Sequence, residues 1–450
     1  MSKISITSIT RPIRNYYHLA QAVAASVYYG FPAKRLKIVG VTGTDGKTTT
    51  VTLVYEILKA WGKPVGMIST VEALIGGQSY ETGFHVTSPD PWALQRFLKQ
   101  MVKAGSEYVV LEVTSHALDQ YRVWGIPFEV GVFTNITRDH FDYHQDYAGY
   151  LGAKAKLLPL AKKVVLNRDD QSFGELEGGA LALGKHKSQE LVSYGFSPQA
   201  EIRIQAISSG VASVPKSLSP PPFSCQCIDT VVEANTILTG RYNQSNLAAA
   251  VSATYLLGVP LSAIQAGISN FRGVTGRWQK IDGGQNFTAL LDFAHTPNAS
   301  EVMLQNCRQQ MVEGSKLTVV FGCAGLRDKG KRPQMGEIAG RLANYTVLTA
   351  EDPRTESIDA IMEQIAVGCR AAGAKEAFPA EIPEGGGHYF VKVPDRERAI
   401  EWAITQLARP GDWVVVTGKG HEQSMCYGTT ERPWSDREVM EKALREIVNR

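Results

Sequence analysis

The stretch Val41-Thr42-Gly43-Thr44-Asp45-Gly46-Lys47-Thr48-Thr49-Thr50 decides how the rest of the chain is read. The apolar run Leu36–Val39 before it has the composition of a buried strand, and Val51–Trp61 after it has that of a helix. Between a strand and a helix, glycines let backbone N–H groups approach phosphate oxygens, and the first helical turn favours an anion. Gly43, Thr44, Asp45, Gly46, Lys47, Thr48 and Thr49 therefore read as a nucleotide-phosphate loop. Lys47 directs a point charge toward the terminal phosphates, and the Thr48 hydroxyl is suited to Mg²⁺. Val41 stands where the longer form of this pattern has its first glycine.

A chain of 450 residues is long for one core and implies two or three domains. With 44% hydrophobic and 20% charged residues it reads as an ordinary globular protein. A net charge of +3, with no long basic run, argues against nucleic acid as a partner. The six cysteines are scattered apart from Cys225 and Cys227, which fits neither a zinc site nor a disulfide framework. Reduced thiols and a cytoplasmic location are expected, and no secretory signal is evident. Tyr16–Tyr29, interrupted by His18 and Gln21, is too short to span a bilayer and reads as a helix packed on the protein body.

Apolar runs at Leu36–Val39, Tyr108–Val113, Val130–Phe133 and Val164–Leu166 alternate with helical patterns such as Pro91–Ala104 and Asp146–Ala161. This is the signature of a parallel sheet with helices on both faces. Between Ser193 and Thr239 the pattern changes to alternating residues and a Pro/Ser-rich run, Ser213–Ser224, which predicts a small antiparallel sheet with a long loop. A second alternating series, Ala289–Phe293, Leu317–Phe321, Thr346–Thr349, Phe390–Val393 and Trp413–Thr417, predicts a further α/β domain of Rossmann-like, doubly wound type. The expected organisation is a short helical extension over 1–35, a central P-loop parallel-sheet ATPase domain over 36–275 and a C-terminal α/β domain over 276–450. Gly273 and Gly276 supply a hinge where the two larger domains join.

Charged residues gather at predicted strand ends, where ligands bind in open α/β sheets. Glu112 ends one such strand and is a candidate Mg²⁺ ligand beside the loop. His140, in the dense run Asn135-Ile136-Thr137-Arg138-Asp139-His140, is a second. Lys154 and Lys156 alternate with alanines, and spacing alone makes them a solvated helix face. In the second series, Asp292 and His295 follow a strand, and Arg327, Lys329, Lys331 and Arg332 form a basic loop suited to an anion. Glu351-Asp352-Pro353-Arg354 and Gly418-Lys419-Gly420-His421-Glu422 add mixed charges that suit a zwitterion.

Together these segments resemble the Mur ligases, most nearly the branch that adds the third residue of the peptidoglycan stem peptide (UDP-N-acetylmuramoyl-tripeptide synthetase, MurE-type). The resemblance rests on GTDGKTTT, EVTSHAL, FTNITRDHFDYH, YLGAKAKLL, GRYNQSNLAAA, GVTGR, DFAHTP, FGCAGLRDKGKRP, EDPR and GKGHE, in family order. It implies ATP-dependent amide synthesis: a carboxylate of a UDP-MurNAc-L-Ala-D-Glu-type acceptor becomes an acyl phosphate, and the amine of a diamino acid displaces phosphate. It further implies metal ligation by Thr48, Glu112, His140 and Lys154, the last as a carbamate, which replaces the solvated-face reading for Lys154. ATP would also be handled by Asn243, Asn246, Arg277, Asp292 and His295, and the acceptor by Thr87, Ser88, Thr114, Gln120 and Arg122. Arg327, Asp352, Arg354, Gly418 and Glu422 would hold the amino acid. The family's usual Asp-Asn-Pro-Arg is here Glu351-Asp352-Pro353-Arg354. Arg354 favours meso-diaminopimelate, whereas the added charge of Asp352 keeps L-lysine open. Only 40 residues precede Val41, so most of the usual uridine-binding domain is expected to be missing. The resemblance implies small-molecule partners and a monomer. Folylpolyglutamate synthase, a Mur-like ligase with another acceptor and a non-catalytic binding module are the alternatives.

Overall fold

The computed structural model describes residues 6–80, 89–187, 190–205, 222–382 and 387–448. The chain divides into two compact units, Met1–Thr137 with Asp146–Arg272, and Arg138–Gln145 with Gly273–Arg450.

The first unit is built on one sheet of eleven strands. In chain order they are β1 (Lys37–Thr42), β2 (Val65–Ile68), β3 (Ala73–Ile75), β4 (Gln78–Tyr80), β5 (Tyr108–Glu112), β6 (Phe128–Phe133), β7 (Ala161–Asn167), β8 (Glu190–Gly195), β9 (Ile202–Gln205), β10 (Pro222–Gln226) and β11 (Val231–Asn235). Their spatial order is β11-β10-β9-β8-β7-β6-β1-β5-β2-β3-β4. The pairings from β2 through β5, β1, β6, β7 and β8 to β9 are parallel. Strands β5 and β1 are apolar and buried along nearly their whole length, as central strands covered on both faces must be.

The antiparallel strands expected between Ser193 and Thr239 are present, but they extend the edge of the main sheet: β9, β10 and β11 pair antiparallel beyond β8. Pro222–Ser224, read from sequence as loop, belong to β10; the rest of the Pro/Ser-rich run lies outside the described residues. At the other edge β3 and β4 add an antiparallel hairpin that the pattern did not announce. The helix Ile6–Tyr29 sets Tyr28 against Trp92, ring centroids 5.7 Å apart, on the helix Pro91–Lys103. That second helix starts sharply: Pro91 fixes the first turn, and the Asp90 carboxylate accepts from the N–H groups of Trp92 (2.8 Å) and Ala93 (3.1 Å). Among the described residues no helix is long and apolar enough to cross a membrane.

The main sheet of the second unit has seven strands among the described residues, β12 (Gln279–Ile281), β13 (Thr288–Asp292), β14 (Leu317–Phe321), β15 (Tyr345–Leu348), β16 (Lys375–Glu376), β17 (Tyr389–Lys392) and β18 (Trp413–Thr417), in the order β12-β13-β18-β14-β15-β17-β16. Only the β12–β13 pairing is antiparallel. Alternate residues feed two cores: Leu290, Val319 and Val415 pack on one face, and Leu291, Val320 and Val414 on the other. A separate hairpin, β19 (Ser424–Tyr427) with β20 (Thr430–Pro433), follows the last strand of that sheet. The parallel neighbours β13, β18, β14 and β15 end on one edge of the sheet. That places Asp292, Gly418, the loop after Phe321 and Glu351 at neighbouring strand ends.

Candidate active site

In the first unit the phosphate loop leaves β1 between β5 and β6. Gly43 has φ 150° and Gly46, which caps the helix Lys47–Ala60, has φ 80°. At Gly46 a Cβ would lie 2.1 Å from Asn246 Oδ1, so only glycine fits. The loop is pinned by the segment after β6. Thr44 N–H donates to Asn135 O (2.7 Å), Asp45 N–H to Asn135 Oδ1 (3.0 Å), and Thr134 Oγ1 to Asp45 O (2.7 Å). Thr134 and Asn135 were not singled out from sequence, although they sit inside a quoted motif.

Thr48 Oγ1 donates to Glu112 Oε2 at 2.9 Å, and both side chains are buried. A hydroxyl and a carboxylate side by side at a helix N-terminus are a donor set suited to a hard divalent cation. Lys47 Nζ donates to Thr44 O (2.8 Å), and Thr49 is buried in the first helical turn. Lys154 is 1% exposed and donates to Gly43 O at 2.5 Å, with Nζ 4.6 Å from the centre of the Tyr150 ring. The solvated-face reading therefore fails for Lys154. It holds better for Lys156, whose side chain is 39% exposed and pairs with Asp119 at 2.8 Å. Asn243 and Asn246 are buried together, linked at 3.3 Å. Thr114 caps a short helix by accepting from Ala117 N–H, and Gln120 Oε1 accepts from Arg122 Nη2 at 2.7 Å. Thr87 and Ser88 lie outside the described residues. Among the described residues no three His, Cys, Asp or Glu side chains gather in metal-ligating geometry.

His140 belongs to the second unit. It has φ 54°, and its Nε2 lies 3.3 Å from Asp139 Oδ2. In the same unit Phe293 is the hub of the residues expected to handle ATP. The Arg277 guanidinium stacks on its ring at 4.1 Å, and His295 and His421 pack against it at 4.6 and 4.9 Å. Asp292 accepts from the N–H groups of Trp278 (2.7 Å) and Ala294 (2.8 Å). Burial and the Lys331 ammonium push His295 down to about 4, and burial with Arg277 pushes His421 down to about 3, so both rings are neutral at pH 7.

The basic loop differs from expectation. Arg332 is fully buried, bonded to Glu356 (2.9 Å), Gln364 (2.8 Å) and Ala324 O (3.1 Å). Lys329 also pairs with Glu356 (3.1 Å), and Lys331 donates to His295 O (2.7 Å). Three of the four cations thus hold the fold together, while Arg327 is exposed. Arg354, with φ 50°, donates to Gly325 O at 2.7 Å.

The charge that the change from Asn to Asp adds at Asp352 is met in the fold by an ammonium that it shares with Glu422. Asp352 Oδ1 accepts from buried Lys419 Nζ (2.9 Å) and from Cys426 N–H (2.9 Å). Gly418, at φ 105°, comes so close to Glu351 that a Cβ would lie 2.2 Å from Oε2. That oxygen has no hydrogen-bond partner, and burial pushes the Glu351 carboxyl up to about 7 against the opposing pull of Lys331 and Arg396. Glu351 and Lys419 lay inside quoted motifs but were not singled out as site residues.

One α/β unit carries a phosphate loop and the second a set of charged strand ends, the features of a nucleotide-binding α/β protein with two ligand-binding units. Residues 41–254 match the Mur ligase middle domain, and residues 276–420 match the Mur ligase, glutamate ligase domain. The UDP-N-acetylmuramoyl-L-alanyl-D-glutamate–2,6-diaminopimelate ligase of Geobacter metallireducens is 38% identical over 442 residues, covering 96% of this chain and 83% of that protein. A solved diaminopimelate ligase of the same name aligns with a TM-score of 0.59 at 29% identity, covering 92% of this chain and 79% of the other. The chain belongs to the Mur ligase family, whose members are ATP-dependent ligases that form amide bonds. Folylpolyglutamate synthase of Mycobacterium tuberculosis aligns with a TM-score of 0.70 over 96% of this chain and 95% of its own, but at 16% identity it shares the fold alone.

Proposed function

We propose that this chain is an ADP-forming ligase that adds a diamino acid, meso-diaminopimelate in preference to L-lysine, to a UDP-MurNAc-L-Ala-D-Glu-type acceptor during peptidoglycan precursor synthesis. The observation that carries this reading is 38% identity, over 96% of the chain, to a protein bearing that activity's name. The site geometry fits it. A carboxylate is a poor acyl donor until phosphorylated, and phosphorylation needs crowded phosphate oxygens held and neutralised. The Gly43–Thr49 backbone and Lys47 hold them, in residues 36–275. Thr48 and Glu112, with Lys154 as a carbamate, would hold Mg²⁺ within the first unit; His140, a candidate ligand by sequence, belongs to the second. A metal held by these residues would supply positive charge to the phosphate oxygens. Asn243, Asn246, Arg277, Asp292 and the neutral His295 ring orient the nucleotide. Thr114, Gln120 and Arg122 serve the acceptor, and Arg327, Asp352, Arg354, Gly418 and Glu422 receive the amino acid within residues 276–450. We place the protein in the cytoplasm, where ATP and a nucleotide-linked acceptor are supplied, and propose that it acts as a monomer.

The decisive assay is phosphate release with ATP, Mg²⁺ and UDP-MurNAc-L-Ala-D-Glu, offering diaminopimelate, lysine, ornithine and glutamate in turn. Diaminopimelate should give the highest kcat/KM. Release with none of them refutes the reading. Turnover of a folate acceptor with glutamate instead transfers it to the folylpolyglutamate class.

A further inference from the structure

The two acidic side chains assigned to the amino-acid pocket are tied to one ammonium. Lys419 Nζ lies 2.9 Å from Asp352 Oδ1 and 2.5 Å from Glu422 Oε2, and the lysine side chain is 0% exposed. Burial alone would lower its pKa, but Glu422 and Asp352 more than offset that and raise it, so Lys419 stays charged. Asp352 also accepts from Cys426 N–H, which aims its carboxylate back into the chain. Arg354 spends one donor on Gly325 O and has others left on its guanidinium fork.

We infer that Lys419 is the specificity-determining residue of this pocket: by offsetting part of the charge of Asp352 and Glu422, it keeps the pocket selective for a diamino acid whose side chain ends in a carboxylate as well as an amine, over one ending in an amine alone. With Lys419 present, the pocket's cations (Arg327, Arg354 and Lys419) outnumber the carboxylates of Asp352 and Glu422; without it they balance. Charge acts at range, so Lys419 need not touch the ligand. The inference rests on the ligase reading and on the pocket assigned above.

The test measures kcat/KM for meso-diaminopimelate and for L-lysine in four proteins: the wild type, Lys419→Met, Asp352→Asn and the double variant. Lys419→Met should lower the diaminopimelate-to-lysine ratio by on the order of tenfold. Asp352→Asn should raise it, and adding Lys419→Met to Asp352→Asn should return it toward the wild-type value. The comparison of Asp352→Asn with the double variant avoids stranding a buried Asp352 carboxylate, so it stands even if Lys419→Met alone does not fold. Glu351 faces both varied residues, Asp352 holding its proton on and Lys419 drawing it off, so all four proteins are measured at one pH and again a unit higher to separate its ionisation from the effect on the ratio. A purely structural role for Lys419 would lower both substrates together; an unchanged ratio, or a wild type that prefers lysine, overturns the inference while leaving the ligase reading intact. A wild type inactive with every amino acid overturns the ligase reading and the inference with it.

Discussion

Glu351 offers the sharpest physical test of the second unit. It follows β15 with 6% of its surface exposed, and its Oε2 is buried with no hydrogen-bond partner. Burial raises its pKa from 4.5 to about 7, despite Lys331 and Arg396 pulling the other way. A rise of that size corresponds to about 3 kcal/mol between the two protonation states. The sign follows from linkage: the folded state holds the proton more tightly than the unfolded one. The stabilising contribution is therefore complete below pH 4.5 and is lost as pH rises through about 7. Glu351→Gln keeps the shape and cannot ionise. Relative to the wild type, the variant should gain about 3 kcal/mol as pH rises from about 4.5 to 8. The measurement is a pair of denaturant unfolding series across that range. His295 and His421 have lowered pKa values, so they favour the folded state above their ordinary 6.5 and withdraw that support as pH falls. They do so in both proteins and cancel in the difference. A difference that does not change with pH, or that favours the wild type as pH rises, refutes the assignment of a strained, unpartnered carboxyl.

Two predictions concern the first unit. Lys154→Ala should cost at least the roughly 10–100-fold that follows removal of an outer partner of a metal site, and added formate or acetate should restore part of it, read by phosphate release; full activity without rescue rules out an essential carbamate. Gly46→Ala forces a side chain into the left-handed region, at about 1–2 kcal/mol, and drives a Cβ against Asn246 Oδ1. Its kcat/KM for ATP should fall by at least about tenfold while the amino-acid KM moves little, and an ATP profile like the wild type's contradicts the loop's assigned role.

What could be read from sequence was what is decided locally. The phosphate loop is specified by its own glycines and by adjacent strand and helix patterns, and strands such as Leu317–Phe321 and Trp413–Thr417 fall where their apolar runs predicted. Strand β7 read short, as Val164–Leu166, because Lys162 and Lys163 look like loop residues. In the fold Lys162 reaches Glu129 and Lys163 reaches Leu256 O and Glu190, so both charges are satisfied at the sheet's margin. Lys154 looked solvated because its helix offers it no carboxylate at helical spacing; the carbonyl it meets, Gly43 O, is 111 residues away in the chain. Arg332 looked like an anion receptor for the same reason, since Glu356 and Gln364 lie on a distant segment. A charged residue's burial depends on long-range partners, and local pattern does not report them.

The pocket's supporting framework was the least legible part, and Arg396 shows why. It opens the helix Arg396–Trp402, and by composition nothing sets it apart from the arginines beside it. In the fold it is fully buried against Asp436, Nε to Oδ1 and Nη2 to Oδ2 both at 2.7 Å. Its remaining donors reach Ala350 O (3.1 Å) and Thr417 O (2.8 Å). Those carbonyls immediately precede Glu351-Asp352-Pro353-Arg354 and Gly418-Lys419-Gly420-His421-Glu422, the two segments of the amino-acid pocket. A buried ion pair is weak evidence for stability, because desolvation cancels much of the Coulomb gain. What this one supplies is connection: a planar fork of donors fixes two strand ends relative to each other and to the start of the helix Asp436–Val448. Lys419, itself buried, then bridges the same two segments, to Asp352 and Glu422. The charges proposed to meet the amino acid are thus held in register by Arg396 and Asp436, which lie in neither segment, and a motif search over contact residues passes over that second layer.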